Sequence, residues 1–191
     1  MTQSVRIVEP SETGRLQEIG ELTSLAYLAD GLIDDAHPYV PQLRDASARA
    51  EHALLLAMFD GERGEGKIVG TLTLVPPGSR FAELAADDEF ELRMLAVSPM
   101  ERGRGIGRLL TTAALDMAVE RGAKRVVLST MDSMHSAHRL YERLGFTRRK
   151  DLDWVVVDNP DGSVSKVNMS EDTSGARDNV KLLGYSWEPS H

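Results

Sequence analysis

The sequence predicts one domain of the α+β class, a mixed α/β arrangement. Short apolar runs of strand length recur along the chain, and amphipathic helical segments lie between several of them. Glycine, proline and capping residues mark the ends of these segments. The 191 residues suit a single hydrophobic core, and no internal repeat or interdomain linker is recognisable. We therefore expect a single domain over residues 1–191.

The first hundred residues predict four strands and two helical segments. Ser11 is the expected N-cap of the first helix, and Asp30-Gly31 is its expected end. Pro76-Pro77-Gly78 ends the third strand. In order, the expected elements are a strand at residues 5–8, a helix from Ser11 to about Gly31, a helical segment within 41–52, and strands at 53–59, 67–75 and 89–97.

Residues 106–121 carry apolar side chains at the spacing of a helix that is buried on one face, and Gly122 is its expected C′ residue. The expected buried face comprises Ile106, Leu109, Leu110, Ala113, Ala114, Met117 and Ala118. The elements expected next are a strand at 125–129, a short helix capped by Ser133 or Ser136, a hairpin of 154–157 with 163–167, a polar and mobile segment at 170–179, and a closing strand at 180–187.

A glycine-rich turn, Arg102-Gly103-Arg104-Gly105-Ile106-Gly107, separates the fourth strand from the helix that follows. Glycines let a ligand approach the backbone closely, and the free N–H groups of a first helical turn attract an anion. Arg102, Arg104 and Arg108 add positive charge at the same place. The turn therefore predicts a phosphate site.

Two other phosphate motifs do not fit. The dinucleotide fingerprint G-x-G-x-x-G fails because Arg108 or Leu110 stands where its third glycine would be. The segment Gly61–Lys67 partly matches a P-loop, but Ile68 follows it in place of the serine or threonine that would bind magnesium. We interpret that segment as a surface hairpin loop.

A second motif lies one strand downstream of the glycine turn. Ala137-His138-Arg139-Leu140-Tyr141-Glu142-Arg143-Leu144-Gly145-Phe146 resembles the signature A-x-x-L-Y-x-x-L-G-F of the GNAT superfamily of acyl-CoA-dependent N-acyltransferases. The R-x-x-G-x-G pattern at residues 102–107 resembles the pyrophosphate loop of that superfamily. The two motifs occur in the order that the family has, and the resemblance covers residues 53–146.

The resemblance implies a GNAT-like fold and a cosubstrate. The fold would be a central mixed, mostly antiparallel sheet flanked by helices and splayed where the fourth and fifth strands part. Acetyl-CoA would lie in that cleft, and backbone groups of Leu95, Ala96 and Val97 would pair with its pantetheine arm and polarise the thioester carbonyl. The residues expected to hold its pyrophosphate are Arg102, Gly103, Arg104, Gly105, Ile106, Gly107 and Arg108.

One position departs from the family pattern. The family often carries an asparagine three residues before the alanine of the second signature, and this chain has Met134 there. Ser133 or Ser136 is the expected replacement for the lost hydrogen bond to pantetheine.

Acetyl transfer to an amine needs a base for the amine proton and an acid for the CoA thiolate. Glu91 is the expected base, because it stands six residues before Val97, where some family members carry a catalytic glutamate. Glu89, two residues away on the same strand face, is the second candidate. Tyr141 is the expected acid. The chain has no cysteine, so we expect direct transfer from acetyl-CoA to the acceptor.

The predicted function is N-acetylation of a primary amine on a small molecule or a protein, and the alternative is a non-catalytic module that binds or senses acyl-CoA. Acidic residues near Asp34 and Asp87 favour a cationic acceptor. The loop between the first two helices supplies the expected acceptor-binding residues, which are Asp34, Asp35, His37 and Tyr39. The hairpin after Trp154 is expected either to cover the pocket or to form a homodimer contact.

The composition limits the other partners. A net charge of −8 argues against a nucleic-acid surface, which needs a basic stripe. No apolar run approaches the ~20 residues of a membrane helix, and the first residues lack the apolar core of a signal peptide. We therefore expect no nucleic acid, no membrane and a cytoplasmic location. His135 and His138 share a helix face without an evident third ligand, so no metal site is predicted.

Overall fold

The computed structural model describes residues 4–61, 65–158, 164–168 and 180–189. The expected mobile segment 170–179, the hairpin turn at 159–162 and part of the 61–67 loop lie outside these residues. The strands are β1 (Ser4–Val8), β2 (Leu54–Phe59), β3 (Ile68–Val75), β4 (Glu89–Val97), β5 (Arg125–Met131), β6 (Thr147–Arg148), β7 (Trp154–Asp158), β8 (Val164–Asn168) and β9 (Val180–Trp187). The helices are α1 (Thr13–Ala29), α2 (Val40–Arg44), α3 (Ala46–Ala50), α4 (Ile106–Glu120) and α5 (His135–Arg143).

The strands of the described ranges form one sheet. Its order is β1-β2-β3-β4-β5-β9-β7-β8, and the short β6 pairs with β9. Every neighbouring pair is antiparallel except β4 and β5, which are parallel. The mixed, mostly antiparallel sheet expected from the resemblance is thereby confirmed. The closing strand β9 is also confirmed, and it lies between β5 and β7 rather than at an edge of the sheet.

The parallel pair β4–β5 is short. Glu89–Glu91 pairs with Arg125–Val127, but β4 continues to Val97 and β5 to Met131. Beyond the paired residues the two strands part, as the resemblance implied. On its other side β4 remains paired with β3 across an irregularity in register near Met94, the one non-glycine residue with a positive φ (54°) in the described part of the chain.

Helices cover both faces of the sheet, which explains why β2 is continuously apolar. Leu55, Ala57 and Phe59 pack with residues of α1, whereas Leu56 and Met58 belong to the cluster that includes α4. On the α4 face, Gly70 of β3 lets the helix approach, because a Cβ at that position would meet Ile106 Cγ2 at 2.6 Å. The start of α4 is therefore held against the sheet beside the end of β4. None of the described helices combines the length and apolar composition needed to cross a bilayer.

Three expectations about the helices are wrong. Ser11 is not the N-cap of α1; Glu12 takes that position, and its carboxylate instead accepts hydrogen bonds from Arg6 and from the Glu9 N–H. The segment 41–52 is two short helices, because Asp45 ends α2 and its side chain caps α3 by accepting from the Ala48 N–H at 2.9 Å. The N-cap of α5 is Met134, which makes no side-chain capping bond, so neither Ser133 nor Ser136 caps it.

The predicted buried face of α4 is correct except at one residue. Ile106, Leu110, Ala114 and Ala118 are buried, and Ala113 and Met117 pack against the same cluster while partly exposed. Leu109 is 46% exposed. Its place in the interior is taken by Thr111 and Leu115, so the helix is rotated relative to the expected face.

Gly20 and Gly14 provide a matched test of the packing between α1 and α2. A Cβ at Gly20 would collide with the backbone carbonyl of Arg44, whereas a Cβ at Gly14 on the same helix would meet nothing within 4 Å. We expect Gly20→Ala to destabilise the fold by about 1–3 kcal/mol because backbone atoms must shift. Gly14→Ala should be neutral or stabilise by up to about 1 kcal/mol. Chemical denaturation of both variants measures this, and an equally stable Gly20→Ala would contradict the packing described.

Candidate functional site

A cavity of about 350 Å³ lies where β4 and β5 part. Its walls come from these two strands, from the segment after α1, from α5 and from strands β7 to β9. Apolar side chains form much of the lining, among them Leu32, Ile33, Met131 and Leu182. An apolar cavity with a few polar groups is the usual form of a small-molecule site.

The glycine turn has the geometry expected of an anion site. Gly103 and Gly105 both have φ of +77°, and a Cβ at either position would meet nothing within 4 Å. Gly105 is the N-cap of α4, and the first helical hydrogen bond runs from the Leu109 N–H to the Gly105 carbonyl at 3.0 Å. The N–H groups of residues 106–108 therefore have no acceptor within the helix and are available to an anion.

Two of the three arginines at the turn are paired with carboxylates. Arg102 Nη1 lies 2.6 Å from Asp30 Oδ1, at the end of α1, and Arg104 contacts Glu101. Arg108 forms no ion pair within the described residues. Because these side chains are exposed, their ion pairs contribute little to stability and can be exchanged for a ligand.

The end of β4 connects the turn to the cavity. Leu95 lines the cavity, and it also lies 3.8 Å from the position that a Cβ at Gly107 would take. Among the described strands, none pairs with the β5-facing edge of residues 92–97. Of the three residues expected to pair with the pantetheine arm, Leu95 lines the cavity, and Ala96 and Val97 continue β4 beyond it.

Glu91 lines the cavity and is 1% exposed. Its Oε2 accepts hydrogen bonds from the backbone N–H groups of Glu83, Leu84 and Ala85 at 2.7, 2.8 and 3.2 Å. Its Oε1 lies 3.9 Å from Arg93 Nε. Burial raises the pKa of the Glu91 carboxyl above its ordinary value, although the backbone hydrogen bonds and Arg93 oppose this effect. Oε2 therefore anchors the loop, and Oε1 accepts no hydrogen bond from the described residues.

Glu89, the second candidate, lies elsewhere. Its Oε1 is 2.6 Å from Arg125 Nη1, its Oε2 accepts from the Ala86 N–H at 3.0 Å, and it does not line the cavity. It belongs to the paired end of β4 and β5. Its position gives it a structural contact with β5 rather than access to a ligand in the cavity.

Tyr141 lines the cavity from α5, opposite β4. Its ring packs against Phe146 with centroids 5.5 Å apart. The hydroxyl has no hydrogen-bond partner among the described residues. Burial raises the pKa of the Tyr141 phenol above its ordinary value, so the group stays protonated at neutral pH.

Met134 also lines the cavity, and its sulfur accepts a weak hydrogen bond from Thr130 Oγ1 at 3.6 Å. Ser133 and Ser136 are exposed and do not line the cavity, and Ser136 Oγ accepts from Arg139. The structure therefore does not place either serine where the expected replacement hydrogen bond would form.

Of the four predicted acceptor-binding residues in the loop after α1, two line the cavity and two do not. His37 and Tyr39 line the cavity, and the Tyr39 N–H donates to His37 Nδ1 at 3.1 Å. Asp34 and Asp35 are exposed and do not line it. The Asp35 carboxylate lies 3.7 Å from Arg44. The carboxylates on which a cationic acceptor was expected are thus outside the cavity.

Several polar residues of the cavity lining were not among the predicted site residues, and they include Glu83, Arg93, Trp154 and Lys166. Trp154 and Lys166 come from β7 and β8, so the hairpin covers the pocket, which was one of its two expected roles. Arg93 lies two residues after Glu91 on β4, so its side chain was expected on the same face of an unbroken strand as the predicted base. This spacing could have identified it from the sequence. Glu83 lies in a loop without a motif.

Within the described residues no three His, Cys, Asp or Glu side chains are placed to hold a metal.

The family model described as acetyltransferase (GNAT) family matches residues 17–146, more than half of the chain. N-alpha-acetyltransferase 30 of Schizosaccharomyces pombe is 46% identical over 61 residues, which are 32% of this chain and 41% of that protein. Mycothiol acetyltransferase of Streptosporangium roseum is 47% identical over 58 residues, 30% of this chain and 17% of that protein. The chain thus spans less than half the length of these two relatives.

Solved structures are similar over nearly the whole chain. The structure of yncA from Salmonella typhimurium with its cofactor acetyl-CoA has a TM-score of 0.63 at 18% identity, over 100% of this chain and 96% of that one. A Bacillus subtilis acetyltransferase in complex with CoA has a TM-score of 0.61 at 14% identity, over 99% of this chain and 100% of that one. At such identities the likeness concerns the fold. With the family match and the two motifs in place on it, the chain belongs to the GNAT family of acetyltransferases.

Proposed function

We propose that the protein is an N-acetyltransferase that moves an acetyl group from acetyl-CoA directly to a primary amine. The observation that carries the proposal is the unpaired edge of β4, which runs from an anion-binding turn to a cavity lined by Glu91 and Tyr141. A single sheet that includes every strand in the described ranges supports the expectation of one N-acetyltransferase domain.

Acetyl-CoA fits the cleft by its chemistry. Its pyrophosphate is an anion that the N–H groups at the start of α4 can bind, and Arg108, which forms no ion pair with another described residue, can contribute a further positive charge. Its pantetheine amides can pair with the edge of residues 95–97 as an added strand would. With that pairing the thioester would lie near the bulge at Met94, in the cavity that Glu91 and Tyr141 line.

The transfer requires movement of two protons. A lysine-like amine has a pKa near ~10.4, so the neutral form costs about 4.6 kcal/mol at pH 7. Glu91 Oε1, directly or through water, takes the proton as the amine nitrogen attacks the thioester carbonyl. The new C–N bond forms, the C–S bond breaks, and Tyr141 delivers a proton to the CoA thiolate.

A non-catalytic acyl-CoA sensor is the alternative. A sensor would need the glycine turn and the edge of β4 to bind acyl-CoA, but it would not need the base Glu91 or the acid Tyr141. Release of free CoA thiol from acetyl-CoA, measured over a panel of amines, separates the two functions. Thermal unfolding with acetyl-CoA, CoA and ATP provides the binding reference, because a ligand at ~100 times its Kd adds about 2.7 kcal/mol.

Gly105→Ala tests the turn, with Gly122→Ala as its control. Gly105 and Gly122 have φ of +77° and +79° at opposite ends of α4, so both variants carry the same backbone strain of roughly 1–2 kcal/mol. Only the first distorts the N–H groups that bind phosphate. We expect the Kd for acetyl-CoA to rise about tenfold or more in Gly105→Ala and to stay unchanged in Gly122→Ala. Equal binding by the two folded variants would remove the turn from the site.

Glu91→Gln tests the base. The glutamine oxygen can still accept the three backbone hydrogen bonds, so the loop should hold while kcat falls by about 10²–10⁴-fold. A base works when deprotonated, and burial raises the pKa of Glu91. In the wild-type protein kcat/KM should therefore fall as pH falls, with an apparent pKa above that of an ordinary glutamate, and this limb should vanish in the variant.

Glu89→Gln is the control for that experiment. It weakens the contact with Arg125 and lowers stability, but it should leave kcat and the acidic limb in place. If Glu89→Gln removes the limb and Glu91→Gln does not, the base assignment is reversed.

Tyr141→Phe tests the acid. The variant keeps the ring and its packing, so the Kd for acetyl-CoA should be nearly unchanged while kcat falls by about 10²-fold. Tyr185→Phe is matched to it, since Tyr185 is also buried but its hydroxyl contacts Glu142 at 3.4 Å and does not line the cavity. A loss of affinity in Tyr141→Phe without a loss of kcat would show that the residue only shapes the pocket.

A further inference from the structure

Four charged side chains cross the cavity in a chain of contacts. Lys166 Nζ lies 2.6 Å from Glu83 Oε2, Arg93 Nη2 lies 2.7 Å from Glu83 Oε1, and Arg93 Nε lies 3.9 Å from Glu91 Oε1. Two carboxylates face two cations, so the lining has no surplus of negative charge. This arrangement gives a polycationic acceptor no electrostatic advantage.

The carboxylate oxygens of the chain are nearly all used by the protein. Both oxygens of Glu83 are paired, one with Arg93 and one with Lys166. Glu91 Oε2 accepts three backbone hydrogen bonds. The remaining oxygen, Glu91 Oε1, is the one needed to accept the amine proton. Of the four oxygens of Glu83 and Glu91, Glu91 Oε1 is therefore the one that remains for an amine.

Donors, in contrast, are left over. Trp154 lines the cavity, and its buried indole Nε1 has no hydrogen-bond partner in the described part of the chain. An indole N–H can only donate, and a buried donor without a partner is unfavourable. Lys166 Nζ lies 4.2 Å from the centroid of the Trp154 ring and has three donors, of which Glu83 uses one. The hairpin thus contributes to the cavity lining both an ammonium group and an indole whose N–H has no partner among the described residues.

From these contacts we propose that the acceptor is a free amino acid, whose carboxylate is bound by Trp154 and Lys166 and whose amine faces Glu91. The inference rests on the proposed acetyl transfer and specifies its substrate class. An oxyanion satisfies the indole N–H and the ammonium together, and a single amine satisfies Glu91 Oε1. The cavity, at about 350 Å³, is near the lower end of the range for small-molecule sites, which favours a small acceptor over a protein segment. Its apolar walls suit an apolar side chain.

Matched acceptors test the inference on the wild-type protein. The panel comprises the twenty protein amino acids, the corresponding decarboxylated amines, such as isoamylamine for leucine and phenethylamine for phenylalanine, and spermidine. Release of CoA thiol gives kcat/KM, and mass spectrometry identifies the N-acetyl product. We expect at least one amino acid to exceed its decarboxylated partner by about tenfold or more, because a site that binds a polar group rejects the analogue that lacks it.

Two variants locate the carboxylate. Trp154→Phe removes the N–H and keeps an aromatic ring beside Lys166, and Lys166→Met removes the ammonium. Each should raise KM for the preferred amino acid by about tenfold or more and narrow its advantage over the decarboxylated amine. Lys150→Met, which changes an exposed lysine outside the cavity lining, should leave both substrates unaffected. Thermal unfolding checks that all three variants are folded.

The outcomes separate the inference from the proposed function. Turnover of decarboxylated amines or spermidine equal to or faster than that of every amino acid overturns the inference and leaves acetyl transfer standing. An amino-acid preference that survives both Trp154→Phe and Lys166→Met overturns the assignment of these residues. No CoA release with any amine, from a protein that acetyl-CoA stabilises, overturns the transferase proposal and the inference with it.

Discussion

The parallel pairing of β4 and β5 holds for only three residue pairs. The candidate site lies beyond these pairs, where the two strands separate and their facing edges are no longer paired with each other. Buried backbone N–H and C=O groups need hydrogen-bond partners. The edge of β4 past Glu91 therefore favours a ligand that can pair with it as a strand does. The proposed position of acetyl-CoA, with its amides along this edge, follows from that requirement.

Several features of the sequence shape the cleft. Gly70 admits the start of α4 beside β3, which brings the glycine turn to the end of β4. The bulge at Met94 turns the strand locally and separates the paired part from the part that faces the cavity. The ion pairs of Glu83 with Arg93 and Lys166 connect the β7–β8 hairpin to β4 across the opening. Removing one partner of such a chain leaves another charge uncompensated.

The sequence predicted those parts of the site that depend on local chemistry. The turn at 102–107 and Tyr141 could be recognised because strand, glycine and helix signals lie next to each other. Trp154 and Lys166 could not be assigned, because they reach the cavity only through the pairing of β7 with β9 and of β8 with β7. Glu83 could not be assigned because it lies in a loop without a motif. Leu109 was wrongly predicted to be buried, because apolar residues spaced three and four apart define the buried face of a helix only to within about one residue of rotation. Asp34 and Asp35 resemble a cation site in sequence, but their side chains lie outside the cavity.

Hydrogen–deuterium exchange with and without saturating acetyl-CoA tests the central claim most directly. The claim is that acetyl-CoA lies along the unpaired edge of β4 with its pyrophosphate on the turn. It predicts slower exchange in residues 92–97 and 102–109 with acetyl-CoA and no change with ATP. Residues 11–15, which help to line a separate cavity at the start of α1, should be unaffected by either ligand. Protection confined to other segments, or equal protection by ATP, would contradict the account.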